Sequence, residues 1–203
     1  MFFKPVKKFV NTVDYFESDD DFNSLYPRPV RQVALKHWTP LDVAKKAASF
    51  LTTSPAEKIL DIGSGAGKFC LAAAHYFPQY SFCGLEQRAD LVQLCNELKT
   101  KLSLSNVSFL HENIKQANWS PYRHFYFYNS FYENITGAQK IDDSISYSEE
   151  LYEDYNKFLL SKLMEKPSGT RIVTYHSFGL QMPPDYLLVN AELDDYLKYW
   201  IKE

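Results

Sequence analysis

Apolar and polar positions along this chain repeat in a regular alternation of two periods. "TPLDVAKKAASFL" carries Leu41, Ala44, Ala47, Ala48 and Leu51 at helical spacing. Thr39 as cap and Pro40 at the first helical position predict a helix over about 40–52. Short apolar runs then alternate with helical ones. "EKILDIG" reads as a buried strand, "GKFCLAAAHYF" as a helix stopped by Pro78, "YSFCGLE" as a second strand and "ADLVQLCNELKTKLSL" as a second helix. "NVSFLHEN" is a third strand, and "HFYFYNSF", after the break at Pro121, a fourth. "YSEELYEDYNKFLLSKLMEK" has an amphipathic helical period, and "TRIVTYHSF" makes a fifth strand. The tail "DYLLVNAELDDYLKYWIKE" leaves room for two strands and no helix between them.

Strict alternation of strand and helix predicts an α/β, doubly wound, Rossmann-like fold. Its seven-stranded, mostly parallel sheet would end in a C-terminal antiparallel hairpin. Residues 1–38 mix aromatics with "ESDDDF" and "YPRP", which suggests an N-terminal arm or lid ahead of one domain over 39–203.

Composition changes this picture little. The 45% hydrophobic and 23% charged content suits a globular chain, and most of the 15 Phe, 15 Tyr and 3 Trp are expected in the core. Net charge is −3, and the basic residues are dispersed, with no run longer than Lys7-Lys8 or Lys45-Lys46. A nucleic-acid partner is therefore disfavoured, because phosphate binding relies on clustered cations. Cys70, Cys83 and Cys95 form no C-x-x-C pattern, so buried free thiols are expected, with neither disulfides nor a metal. Neither a signal peptide nor a membrane-spanning stretch is visible, which suggests a cytoplasmic location and no membrane partner.

Chemistry concentrates in "LDIGSGAGKF". Asp61, Gly63, Gly65 and Gly67 give D-x-G-x-G-x-G between a strand and a helix, where bare backbone can approach a ligand. Lys68 stands where the dinucleotide fingerprint needs its third glycine, which counts against a nicotinamide or flavin cofactor, and no Walker A pattern occurs. Glu86 closes the second strand 25 residues after Asp61, where an acid can accept hydrogen bonds from both ribose hydroxyls.

With these residues the chain resembles the class I S-adenosylmethionine-dependent methyltransferases over roughly 39–203. The resemblance implies S-adenosyl-L-methionine as cofactor. It implies that the loop with Gly63, Ser64, Gly65 and Gly67 packs against the methionine and ribose portions, with Asp61 organising the loop and the ammonium. Glu86, followed by Gln87, matches the ribose acid. Asn113 stands where the family commonly has an Asp that meets the adenine amino group, with Ile114 supplying a backbone contact. Asn113 also reads as an ordinary turn residue.

The fourth strand ends in "NSFY", which is similar to the N-P-P-Y of methyltransferases acting on amino groups but lacks both prolines. Asn129 would orient an acceptor nitrogen and border the cofactor, with Phe131 or Tyr132 packing on the acceptor. Equally, Asn129 would cap the next helix and the rings would be core. His176 ends the fifth strand on the ligand-facing edge, as a base or as a hydrogen-bonded structural histidine. Asn129, Tyr132 and His176 are thus the catalytic candidates. A looser resemblance, covering the cofactor half only, connects "DIGSGAGKFCLAAA" and "GLEQRADL" with the lysine methyltransferases that use this fold instead of a SET domain.

The expected activity is methyl transfer to a nitrogen of a small molecule or protein side chain. An aminopropyl transferase is disfavoured by the lack of a D-x-D pair after the fourth strand. A non-catalytic protein-binding module is disfavoured by the intact glycine loop with Glu86. The acceptor and the oligomeric state are not legible in the sequence.

Overall fold

The computed structural model describes residues 14–32, 34–177 and 180–203. The first thirteen residues of the expected arm, with Lys7-Lys8, lie outside them. Seven strands form one sheet: β1 (Lys58–Ile62), β2 (Ser81–Glu86), β3 (Val107–His111), β4 (Tyr122–Tyr128), β5 (Arg171–Tyr175), β6 (Tyr186–Glu192) and β7 (Leu197–Lys202). Their order is β3-β2-β1-β4-β5-β7-β6. Neighbours from β3 to β5 are parallel, while β7 runs antiparallel to both β5 and β6. The Rossmann-like expectation, hairpin included, holds.

Near-continuous burial of the central strands follows from helices on both faces. Ile59, Phe82, Tyr126 and Val173 face one layer, with α4 (Leu41–Leu51), α5 (Lys68–Tyr76) and α6 (Ala89–Lys101). Leu60, Leu85, Phe127 and Ile172 face the other, where α7 (Glu149–Met164) contributes Tyr155, Leu159 and Leu163. Cys70, Cys83 and Cys95 are buried free thiols. No helix among the described residues is long and apolar enough to cross a membrane.

Before α4 come three short helices, α1 (Asp19–Asn23), α2 (Arg28–Arg31) and α3 (Ala34–His37). Phe22, Leu25 and Tyr26 pack into the first layer, and Tyr26 Oη donates to the Ala66 carbonyl at 2.8 Å. This docking changes how α4 begins. Pro40, not Thr39, takes the cap position and makes no side-chain cap bond. Thr39 Oγ1 instead pairs with Tyr126 Oη at 2.9 Å, and the Leu41 N–H donates to Asp19 Oδ1 at 3.0 Å. An acid 22 residues upstream does what the local sequence assigned to Thr39.

Candidate functional site

Sheet order reverses between β1 and β4, the switch point where a doubly wound sheet opens a crevice beyond its carboxyl ends. An open cavity lies there. Gly63 and Gly65 come to it from the β1 turn, Glu86, Gln87 and Arg88 from β2, Asn113 and Ile114 from β3, and Asn129 to Asn134 from β4. Four chain-distant segments converge because parallel strands release their loops at one edge.

The three glycines of the loop have different reasons to be glycine. A Cβ on Gly63 would overlap the Ser130 side chain, which donates to the Ile62 carbonyl and ties the β1 and β4 turns together. One on Gly67 would stand 2.6 Å from Cys95 Sγ and 2.7 Å from Phe109 Cε1, so this position serves packing and lines no cavity. Gly65 has φ +53° and nothing within 4 Å of its Cβ position, an open cradle on the cavity wall. Its N–H donates to Glu86 Oε2 at 2.9 Å.

Glu86 is 5% exposed, and its other oxygen accepts from the N–H groups of Gln87 at 2.9 Å and Arg88 at 3.0 Å. Burial raises its pKa against the Arg88 charge and these hydrogen bonds, which favour the carboxylate. Asn113 is fixed by three hydrogen bonds: its Nδ2 donates to Tyr155 Oη at 2.7 Å and to Gln87 Oε1 at 3.1 Å, and its Oδ1 accepts from Lys115 N–H at 3.0 Å.

A smaller cavity adjoins the first, sharing His37, Gly63 and Tyr128, and is lined by Asp61, Ser64 and Lys68. Asp61 is 4% exposed. Burial pushes its pKa up to about 8; the Cys70 thiol, donating at 3.5 Å, opposes this and the Glu86 charge adds to it. A buried acid without a cation partner among the described residues fits the ammonium of a methionyl group. Ser64 Oγ is buried with no hydrogen-bond partner among the described residues. Lys68, the departure from the dinucleotide fingerprint, is buried and donates to Asp19 at 2.5 Å and Asn23 at 2.8 Å, pinning the arm to α5.

These features fit S-adenosylmethionine. Glu86 and Gly65 would hold the ribose, Gln87, Asn113 and Ile114 the adenine, and Asp61 with the loop the methionyl end. Of the catalytic candidates, Asn129 and Tyr132 line the larger cavity, Asn129 with φ +43° and Tyr132 45% exposed. His176 lines neither cavity, and its ring packs among Tyr175, Tyr196 and Tyr128 with centroids 4.3, 4.4 and 5.7 Å away.

Sequence reasoning missed the residue at the centre of the site's electrostatics. Arg88 is 4% exposed and contacts Glu86, Glu133 and Asp142 together. Nothing in "EQRADL" signals this, because Glu133 lies 45 residues away and Asp142 54.

Comparison with known proteins agrees with this geometry. The methyltransferase-domain family matches residues 53–192. A tRNA (guanine-N(7)-)-methyltransferase of Prochlorococcus marinus is 46% identical over 55 residues, 27% of this chain and 26% of that protein. One from Trichormus variabilis is 35% identical over 89 residues, 43% and 40% of the two chains. The chain thus spans between 26% and 40% of these two curated relatives.

Among solved structures, an RNA methyltransferase from Salinibacter ruber in complex with S-adenosyl-L-homocysteine superposes with TM-score 0.56 at 17% identity, covering 81% of this chain and 92% of that one. TrmN from Thermus thermophilus gives 0.57 at 18%, covering 85% and 51%. At these identities the likeness is one of fold.

The curated relatives overturn one expectation. Dispersed basic residues and a net charge of −3 pointed away from nucleic acid, yet the relatives are tRNA methyltransferases. Net charge sums the whole surface, whereas a nucleic acid meets a local field, so the sum does not exclude such a partner. The matched domain, the sheet order and the Gly65–Glu86 cavity lead to one conclusion: the chain belongs to the methyltransferase-domain family, in the class I, Rossmann-fold, S-adenosylmethionine-dependent group.

Proposed function

We propose that this protein transfers a methyl group from S-adenosylmethionine to N7 of a guanine base in RNA. The observation that carries this reading is the 46% identity over 55 residues with a tRNA (guanine-N(7)-)-methyltransferase. The site is compatible with it. Guanine N7 is an acceptor lone pair in the base plane and carries no proton, so its attack needs positioning rather than a general base. S-adenosylmethionine supplies an activated methyl group on a sulfonium. Asn129, at the end of β4, orients the base edge through its amide, and the exposed ring of Tyr132 stacks on the base face. Buried Phe131 packs on Phe127 and Tyr155, holding this turn in place. This chemistry does not require His176, which lines neither cavity, to act as a base.

The test is transfer of labelled methyl from S-adenosylmethionine to an unmodified tRNA transcript and to a transcript carrying 7-deazaguanosine. Label in the first, recovered in guanine nucleosides, and none in the second is expected. Equal labelling of both transcripts, or label only in protein, contradicts the reading.

A further inference from the structure

One wall of the larger cavity is the segment 132–147, which contributes Gln139, Ile141, Ile145 and Tyr147. Apart from a 3-10 turn at Tyr132–Asn134 it contains no helix or strand, so side-chain contacts must fix it. Those contacts converge on Arg88. Its Nη2 donates to both oxygens of Glu133 at 2.8 and 3.0 Å and to Tyr147 Oη at 2.8 Å. Its Nε reaches Asp142 at 3.2 Å. Glu133 also accepts from the Ile141 N–H at 2.5 Å, and Tyr147 Oη donates to the Asp142 carbonyl at 2.7 Å. The same guanidinium touches Glu86 through Nη1 alone, at 3.3 Å.

One cation is thus shared by three carboxylates, and the share that Glu86 receives depends on the segment. While Glu133 and Asp142 hold Arg88, its guanidinium gives Glu86 one long contact, to the Oε1 that already accepts from the Gln87 and Arg88 N–H groups, and Oε2, which accepts from the Gly65 N–H, keeps room for a hydroxyl donor. When the segment leaves, the planar guanidinium is free to turn and pair with Glu86 through two parallel N–H groups, the geometry arginine favours with a carboxylate. That pairing takes the lone pairs a ribose diol needs.

We propose that Arg88 is a positioning residue that couples the segment 132–147 to the ribose acid Glu86, so that cofactor binding and docking of this wall favour one another. The inference rests on the S-adenosylmethionine reading of the cavity and not on the identity of the acceptor. Coupling of this kind is reciprocal: whatever loosens the segment weakens the cofactor, and cofactor protects the segment.

Asp142 offers the cleanest test, because it lines no cavity and does not touch Glu86. Hydrogen exchange over 135–147 is measured with and without S-adenosylhomocysteine, and its dissociation constant is measured by calorimetry for the wild type, D142N, E133Q and R88K. In the wild type, S-adenosylhomocysteine slows exchange in the segment. D142N and E133Q speed that exchange and weaken binding about 5-fold or more. R88K does not restore binding, since an ammonium cannot span Glu86, Glu133 and Asp142 together. A variant that loosens the segment but binds as tightly as the wild type overturns the coupling, as does wild-type exchange that ligand leaves unchanged. Failure of the wild type to bind S-adenosylhomocysteine overturns the cofactor reading itself, a separate result.

Discussion

The backbone N–H of Gly65 donates to the Glu86 carboxylate across 2.9 Å, which makes the glycine loop and the acid closing β2 a single structural unit. The loop therefore depends on the acid for its shape as well as for its ligand. Glu86→Ala is expected to weaken S-adenosylhomocysteine binding by about 1–3 kcal/mol, roughly 5- to 150-fold, the scale of charge-assisted hydrogen bonds lost. Calorimetric titration checks this, and an unchanged dissociation constant removes the ribose assignment.

Gly65 and Gly67 lie two residues apart, yet their substitution should do different things. A Cβ at Gly67 meets Cys95 and Phe109 at 2.6–2.7 Å, so Gly67→Ala is expected to cost about 1–3 kcal/mol in stability through overpacking, on top of the strain of its φ of +75°. At Gly65 a Cβ meets no atom, and its cost is the positive φ alone, about 1 kcal/mol. Gly65→Ala should instead lose cofactor affinity, because the new methyl fills the cradle. Denaturation curves and ligand titration on both variants separate the two roles; equal affinity losses would refute the division.

Asp61 links cofactor binding to pH. Burial raises its folded-state pKa to about 8, above the ordinary value near 3.9, so between these values the folded state binds more protons than the unfolded one. The stability of the unliganded protein should therefore fall as pH rises through this window, and Asp61→Asn should remove that part of the slope. Relative to the wild type, the variant should gain melting temperature from pH 5 to pH 8, by roughly 2–4 °C per kcal/mol relieved, while binding S-adenosylhomocysteine more weakly. Parallel melting curves across this range would contradict the assignment.

The sheet and its helices were legible because short continuous apolar runs alternate with runs of helical period. D-x-G-x-G-x-G and Glu86 were legible for a related reason: they are short in sequence and sit at strand ends. What escaped detection is built across long separations. Asp19 serves the start of α4, 22 residues on, and the Arg88–Glu133 pair spans 45. No local pattern marks either, because each acid looks like an ordinary solvated charge. The surroundings of His176 were hidden for the same reason: it follows β5 as expected, but the tyrosines around it are distributed over β4, β5 and the β6–β7 turn.

Asn129 separates acceptor positioning from cofactor binding. Asn129→Ala should lower kcat by about 10- to 100-fold, the cost of a misplaced acceptor, and leave the S-adenosylhomocysteine dissociation constant within about 2-fold. Single-turnover kinetics with an unmodified tRNA transcript, beside calorimetry, make the comparison. A variant that loses cofactor affinity in proportion to turnover would place Asn129 in the cofactor site alone.

The most direct test of the account is calorimetric titration of the unliganded protein with S-adenosylmethionine, S-adenosylhomocysteine and NAD. Micromolar binding of the first two, with none of the third, is the predicted result and establishes the cofactor. Absence of binding by both sulfur nucleosides, or binding of NAD in their place, would contradict it.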